Sequence, residues 1–346
     1  MTRADVSPGA GVFMRFLAMR SALQLALLLT LGAGVIGVTL AWFFYAPMPP
    51  ETALPDGSRS VETAGRTRSF TVWAPPLVQP NAPLLLVLHG SMMNGVQMRQ
   101  MLGPRFERLA QQHGAIVVYP SGVEGHFNDG RLAATYSART LNIDDVGFVR
   151  AIIDTLAAEH HINRQRVYAF GYSNGGQMAM RLATEAPDLI AGVIVSNANV
   201  PTDDNRGWTL ASAPAAASAA GLAASRSPRV VLLEGTLDPI NPYTGGLVTI
   251  FGFGNRGTVL SSLDSARWFA QRAGVDGPPT SDTRRTLGAL TVQQQDWGTP
   301  AQVRLVTLHG AGHTVAQSDY RFPRFLGATA ADDTLLNAAW DLIDRR

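Results

Sequence analysis

The sequence predicts an α/β fold, a single open and mostly parallel sheet with helices on both faces. Three observations lead there. Several runs are apolar, β-branched and continuous rather than alternating, the pattern of a strand covered on both sides. Segments with apolar residues at helical spacing separate them. Finally, the chain has 346 residues, 46% of them hydrophobic and only 16% charged, so about 300 remain for one large core once an N-terminal segment is set aside.

From the amino end, Arg3, Arg15 and Arg20 precede Ser21 to Ala46, 26 residues without a charge. That length suffices to cross a bilayer as a helix. The basic flank places the amino end in the cytoplasm, and Trp42 to Tyr45 fall where an interfacial aromatic belt belongs. The expectation is a single-pass signal anchor with the following domain on the periplasmic or extracellular side. A cleaved secretion signal is the alternative, disfavoured by the length of the apolar run and by the lack of a clean small-x-small site. Residues 1–20 are then a cytoplasmic segment, 21–46 the anchor, 47–66 a linker rich in Pro and polar residues, and 67–346 the folded domain.

The domain opens with an alternating strand, Arg68 to Pro75. Continuous strands are predicted at Leu84 to Gly90, Ala115 to Gly122, Arg166 to Ser173, Ile190 to Asn199, Arg229 to Asp238 and Val303 to His313. Helices are predicted at Asp144 to His160, capped by the aspartate, at Asn174 to Pro187, and at Ser261 to Gly274, capped by the serine. Ala213 to Pro228 is of low complexity, and Val275 to Arg285 reads as an exposed loop. In such a sheet, ligands bind beyond the carboxyl ends of the strands.

Composition removes several functions. With no cysteine there is no disulfide, thiolate metal site or cysteine nucleophile. A net charge of +2 without a basic cluster speaks against nucleic acid as a partner. No cofactor or metal is implied. His309 and His313 are four apart, but Gly310 and Gly312 argue against a helix presenting both to a metal. Asp144 and Asp145 read as a helix cap.

The chemistry is read from Gly171, Ser173 and Gly175, a G-x-S-x-G between a predicted strand and a predicted helix. That context holds a serine on a sharp, strained turn with its hydroxyl exposed, as in the α/β-hydrolase fold, where the order Ser, acid, His is expected. A serine needs a base, and the base an orienting acid. Only His309 and His313 follow Ser173; His313, in a mobile loop past the strand end, is the expected base. Asp238, at a strand tip before Pro239, is preferred as the acid over Asp264, Asp282 and Asp296. The oxyanion is expected to meet the backbone amides of Asn174 and Ser91, with Met92 close behind Ser91. Met92, Tyr243 and Trp297 are candidate pocket residues, burial in the core being at least as good a reading of Trp297. His89 reads as structural.

With these residues assembled, the chain resembles the esterases that include poly(3-hydroxybutyrate) depolymerase-like and feruloyl esterase-like proteins of the α/β-hydrolase fold. The resemblance runs from about Leu84 to Ile343. It rests on "LVLHG", "FNDGR" with "IDDVGFVRAIID", "GYSNGGQMA", "EGTLDPINPYTGG", "HGAGHT" and the closing "FPRFLGATAADDTLLNAAWDLI". It implies a serine carboxylester hydrolase with Ser173, Asp238 and His313 in the triad. Family members often have a cysteine where Ser91 stands and Trp-Pro after the His-Thr pair, where this chain has Val315-Ala316. The expected substrate is a hydroxyalkanoate oligomer or a carbohydrate-linked or aromatic ester. An acyltransferase or peptidase with the same triad, or a membrane-tethered binding protein of this fold, is the alternative.

Overall fold

The computed structural model describes residues 29–49, 58–210, 227–250 and 252–345. The expected cytoplasmic segment 1–20, the first eight residues of the expected anchor and most of the Ala/Ser-rich segment lie outside them. Within the expected anchor, residues 29–44 form a helix, α1, with exposed Leu29, Val35, Ile36 and Val38. Among the described residues no helix is long and apolar enough to cross a membrane. The chain divides into two compact units, the N-terminal segment through Pro47 with Pro323–Phe325, and the remainder. In the first, the Arg324 guanidinium lies 3.6 Å from the Trp42 ring centroid.

The larger unit is built on a ten-stranded sheet. In chain order its strands are β1 (Ser58–Thr63), β2 (Arg66–Trp73), β3 (Leu84–Leu88), β4 (Ile116–Pro120), β5 (Val167–Tyr172), β6 (Gly192–Ser196) and β7 (Arg229–Gly235). The short β8 (Gly246–Leu247) and β9 (Thr258–Val259) pair apart from it, and β10 (Ser281–Leu287), β11 (Leu290–Trp297) and β12 (Val303–His309) complete it. The spatial order is β1-β2-β4-β3-β5-β6-β7-β12-β11-β10. From β4 to β12 all neighbours are parallel, while both flanks are antiparallel.

The helices are α2 (Gly95–His113), the single turn α3 (Ser137–Thr140), α4 (Asp145–His160), α5 (Asn174–Glu185), α6 (Ser262–Arg272) and α7 (Thr334–Ile343). Successive residues of a strand face opposite sides. One set, including Leu84, Leu86, Ala169, Val193, Val195 and Leu232, packs in a core with Phe148 of α4, Met178 of α5 and Phe269 of α6. The other set meets α2 and α7: Phe170 lies 4.7 Å from Phe106, and Tyr168 5.2 Å from Trp340. Covering both faces explains why the central strands read as unbroken apolar runs.

Asp144 caps α4 by accepting from the Gly147 amide at 2.7 Å, and Ser261 caps α6 by accepting from the Asp264 amide at 3.0 Å. The sequence reading assigns no helix where α2 stands. The helix contains Pro104, and its start is fixed by a capping box between Asn94 and Gln97. Two further segments differ. Ser58–Thr63, inside the expected linker, pairs with β2, which moves the start of the sheet ahead of residue 67. Ser281–Leu287, inside and beyond the expected loop at 275–285, is an edge strand whose central residues are exposed. Asp282 and Asp296 therefore lie in strands, and Asp296 is held by Arg304 at 2.7 and 2.8 Å. Both added strands are polar edges, which present charge to solvent instead of an apolar pattern.

Candidate active site

At the carboxyl end of β5 the chain turns directly into α5. Ser173 occupies the turn with φ 55° and ψ −115°, a conformation that costs a non-glycine residue about 1–3 kcal/mol and needs tight surroundings. A side chain at Gly171 would strike the Gly175 carbonyl, and one at Gly175 would strike the Leu88 and His89 carbonyls. The glycines thus allow β5, α5 and the end of β3 to close around the serine. Its amide donates to the Ser196 carbonyl of β6 at 2.9 Å.

His89 shapes the loop after β3. Its Nδ1–H donates to the Gly90 carbonyl at 2.7 Å, and its Nε2 accepts from the Gly122 amide at 2.8 Å. These bonds define a neutral tautomer, and burial, the main cause, lowers the imidazole pKa to about 4. A Cβ built on Gly90 would sit 3.6 Å from Ser173 Cβ, so this loop borders the Ser173 turn. The Met92 amide is committed to the Gly125 carbonyl at 2.8 Å, in a positive-φ conformation. Among the described residues, the amides of Ser91 and Asn174 have no acceptor. Ser91 Oγ is buried, likewise without a partner among those residues.

The strands β7 and β12 are parallel neighbours, and the loops at their ends bring Asp238 and His313 together. His313 Nδ1 donates to Asp238 Oδ2 at 2.6 Å, with the carboxylate side chain 0% and the imidazole 4% exposed. Asp238 Oδ1 accepts from the amides of Ile240 and Asn241, each at 2.8 Å. Asn197, after β6, completes the set: its Nδ2 donates to Asp238 Oδ2 at 3.2 Å and to the Gly312 carbonyl at 3.0 Å. Asn197 itself has φ 56°.

The histidine loop is not loose, contrary to expectation. His313 donates its amide to Leu326, Gly312 donates to Ala328 at 2.9 Å, and the Thr314 hydroxyl bonds the Ala328 carbonyl at 3.0 Å. Ser173 Oγ and the imidazole are not hydrogen-bonded. Tyr172 links their two loops, since its hydroxyl donates to the His313 carbonyl at 2.8 Å and its ring lies 5.2 Å from the imidazole.

On the other side of Ser173, the Asn174 side chain is fully engaged. Its Oδ1 accepts from the Phe127 amide at 2.8 Å, and its Nδ2 donates to Asp129 Oδ2 at 2.7 Å and lies 3.3 Å from the Tyr136 hydroxyl. Asp129 is buried against Arg131, bonded at 3.0 and 2.6 Å. Burial opposes ionisation of Asp129, but Arg131 prevails and holds its pKa below the usual value. The His126 ring stacks on Tyr136 at 4.5 Å.

The pocket candidates separate. Met92 is exposed on the loop beside Ser91. The Tyr243 hydroxyl is tied to Thr307 of β12 at 2.8 Å, facing the sheet. Trp297 is 0% exposed and pairs with Val303, the first residue of β12. His309 ends that strand six residues on, so Trp297 lies about 20 Å along it from the histidine loop. It belongs to the core, and its place in a substrate pocket is withdrawn. His309 bonds Gln293 at 3.0 Å. Sequence reasoning missed Asn197, Tyr172 and the Asp129–Arg131 pair; "SNAN" directly after an apolar strand was the available signal for the first.

The family model for esterase PHB depolymerases matches residues 68–287. A protein of Nocardia uniformis subsp. tsuyamanensis named "Putative esterase NocK" is 28% identical over 304 residues, covering 83% of this chain and 82% of the relative. Feruloyl esterase B of Piromyces equi is 26% identical over 232 residues, covering 67% of this chain and 39% of the relative. Among solved structures, the acetyl xylan esterase from Aspergillus awamori superposes with a TM-score of 0.51 at 17% identity, covering 75% of this chain and 94% of that one. It shares the fold. The strained turn at Ser173, the parallel sheet and a match over most of the domain converge: the chain belongs to the PHB depolymerase esterase family and is a carboxylic ester hydrolase.

Proposed function

We propose that this hydrolase acts through Ser173, His313 and Asp238, by way of an acyl-enzyme. Ser173 Oγ attacks the ester carbonyl carbon while His313 Nε2 takes its proton, and the carbonyl π electrons move onto the oxygen. The amides of Asn174 and Ser91 receive that oxyanion, each donor contributing about 3 kcal/mol to the transition state. Collapse of the intermediate breaks the bond to the alkoxy oxygen, which leaves with the proton from His313. Water repeats the sequence and frees Ser173. Asp238 keeps the imidazole in the tautomer with hydrogen on Nδ1.

The observation that carries this reading is the buried 2.6 Å bond between His313 Nδ1 and Asp238 Oδ2, in loops joined by Tyr172 to the turn of Ser173. The missing bond from Ser173 to the imidazole is compatible with it, because such contacts tighten when substrate binds. Labelling with a fluorophosphonate probe tests it. The native chain is expected to label and Ser173→Ala to lose both labelling and ester hydrolysis; a native chain that hydrolyses esters without labelling refutes it.

The relatives' names support a hydroxyalkanoate oligomer or a carbohydrate-linked or aromatic ester as substrate. Rates over a panel of such esters decide among them. The exposed apolar surface of α1 and the uncharged stretch around it support a membrane anchor with the hydrolase on the outer side. Recovery of activity in the membrane fraction, with protease access from outside intact cells, tests that placement.

A further inference from the structure

Residues 127–131, between β4 and α3, take no part in the steps proposed above, yet they touch both elements that carry the oxyanion amides. On one side they grip the Asn174 side chain. The Phe127 main chain bonds it in both directions: the Phe127 amide donates to Oδ1 at 2.8 Å, and Nδ2 donates to the Phe127 carbonyl at 3.1 Å. The same Nδ2 donates to Asp129 Oδ2 at 2.7 Å. On the other side, the Phe127 ring lies 4.4 Å from the imidazole of His89, which bonds Gly90 and so holds the loop leading into Ser91.

The segment is fastened to the body of the domain. The Asn128 amide donates to Asp145 Oδ2 at 2.7 Å, and the Asp129 carbonyl accepts from Trp208 Nε1 at 2.7 Å. Asp129 is the junction. Its Oδ2 accepts from the Arg131 guanidinium at 3.0 and 2.6 Å as well as from Asn174, and its Oδ1 accepts from the Arg131 amide at 3.1 Å. A carboxylate has lone pairs enough for the arginine fork and an amide together. Phe127, Asp129, Arg131, Asn174 and His89 are all buried, so water does not compete for these bonds. Arg131 also cancels the charge of Asp129, which unpaired would oppose an oxyanion forming at the neighbouring amide.

We infer that Asp129 is a positioning residue for ester hydrolysis: through the Asn174 side chain it fixes the aim of the Asn174 amide and keeps it in register with the amide of Ser91. This rests on Ser173 being the nucleophile and on those two amides receiving the oxyanion. A donor stabilises an oxyanion only from about 2.7–3.1 Å, and a misplacement of about 1 Å costs about 100-fold. The amide in question follows directly on Ser173, whose positive φ persists only where its surroundings over-determine it. The grip on Asn174 supplies part of that constraint, from the side of the turn opposite His313.

Asp129→Ala, Asp129→Asn and Asn174→Ala, made in the full chain, test the inference. Asn174→Ala keeps the main-chain amide and loses only the grip on it. Two quantities are read: kinetics on one neutral ester, per serine titrated by fluorophosphonate, and inhibition by a trifluoromethyl ketone with the same acyl group. Ser173 Oγ adds to the ketone carbon, its proton passes to His313, and the ketone oxygen becomes an oxyanion facing the two amides. Asp129→Ala and Asn174→Ala are expected to lower kcat about 10- to 100-fold with KM within about twofold, and Ki should rise by the factor by which kcat/KM falls. Asp129→Asn, which keeps an oxygen for Asn174 Nδ2, should restore part of both. A lower denaturation midpoint with kcat and Ki unchanged means a structural role alone and overturns the inference. So does a loss carried by KM with kcat unchanged, which means a lost substrate contact. If Asp129→Ala does not fold, Asn174→Ala and Asp129→Asn decide by the same readouts. Failure of the nucleophile assignment is separate: it appears as hydrolysis that survives Ser173→Ala.

Discussion

Asn197 and His313 meet on a single oxygen, Oδ2 of Asp238, the amide at 3.2 Å and the imidazole at 2.6 Å. Asn197 also holds the Gly312 carbonyl beside the histidine at 3.0 Å, so one side chain fixes both partners of the dyad. Asn197→Ala is expected to lower kcat about 10-fold with little change in KM, because it loosens a positioning contact and leaves the dyad in place. Asp238→Asn, which disturbs the imidazole tautomer itself, should cost about 10⁴-fold. Steady-state kinetics on one activated ester checks both, and equal losses would contradict the assignment of separate roles.

Tyr172→Phe removes the hydroxyl that binds the His313 carbonyl and leaves the ring in place. Loss of one buried hydrogen bond is worth about 1–3 kcal/mol where the acceptor is left unsatisfied. The expected outcome is a lower denaturation midpoint with fluorophosphonate labelling slowed but retained. Unchanged labelling would mean that the loop holds His313 without this tether.

His89 gives stability a pH dependence whose sign can be worked out. Its folded pKa, lowered from 6.5 to about 4, lies below the unfolded value, so the unfolded chain takes up a proton first as pH falls. The stability it contributes is present above pH 6.5 and is lost as pH drops towards 4, by up to about 3 kcal/mol. His89→Gln, which retains a donor and an acceptor, should flatten that part of the curve. Urea denaturation of both proteins between pH 7 and pH 4 measures the difference.

Arg68 and Asp145 form a buried pair at 2.6 Å, the guanidinium lying 4.1 Å over the Phe148 ring. Burial is the main influence on Asp145 and raises its pKa even with Arg68 opposing it. Arg68→Met should destabilise the fold by about 3–5 kcal/mol at neutral pH, since a buried carboxylate loses its counter-ion. The penalty should shrink as pH falls, because the neutral acid is tolerated there. Denaturant midpoints at pH 7 and pH 5 give the test.

The central strands were legible because both faces are covered, which left Leu84 to Leu88 and Val167 to Tyr172 as apolar blocks. The capped helices were legible because Asp144 and Ser261 signal their starts in a few residues. Edge strands β1 and β10 were not, since their stability comes from one paired neighbour and their side chains are polar. At the site, Ser173 carried a local signature of glycines. Asp238 and His313 were found from strand ends and chain order, and the structure places them in hydrogen-bond contact. Asn197 and Tyr172 carry no such signature, because their significance comes from contacts 41 and 141 residues away in sequence. Trp297 misled because a large aromatic looks the same in a core as in a pocket.

Chain order gives the dyad a temporal consequence. The serine turn is translated first, whereas β12, which carries the histidine loop, begins at Val303 and docks on β7, already made some seventy residues before. The 326–328 segment that secures this loop is made later still. A chain that stops short of β12 therefore presents Ser173 without His313. On the proposed mechanism, nucleophile and base come together only after β12 and the 326–328 segment have docked, and loss of that segment would free the histidine loop.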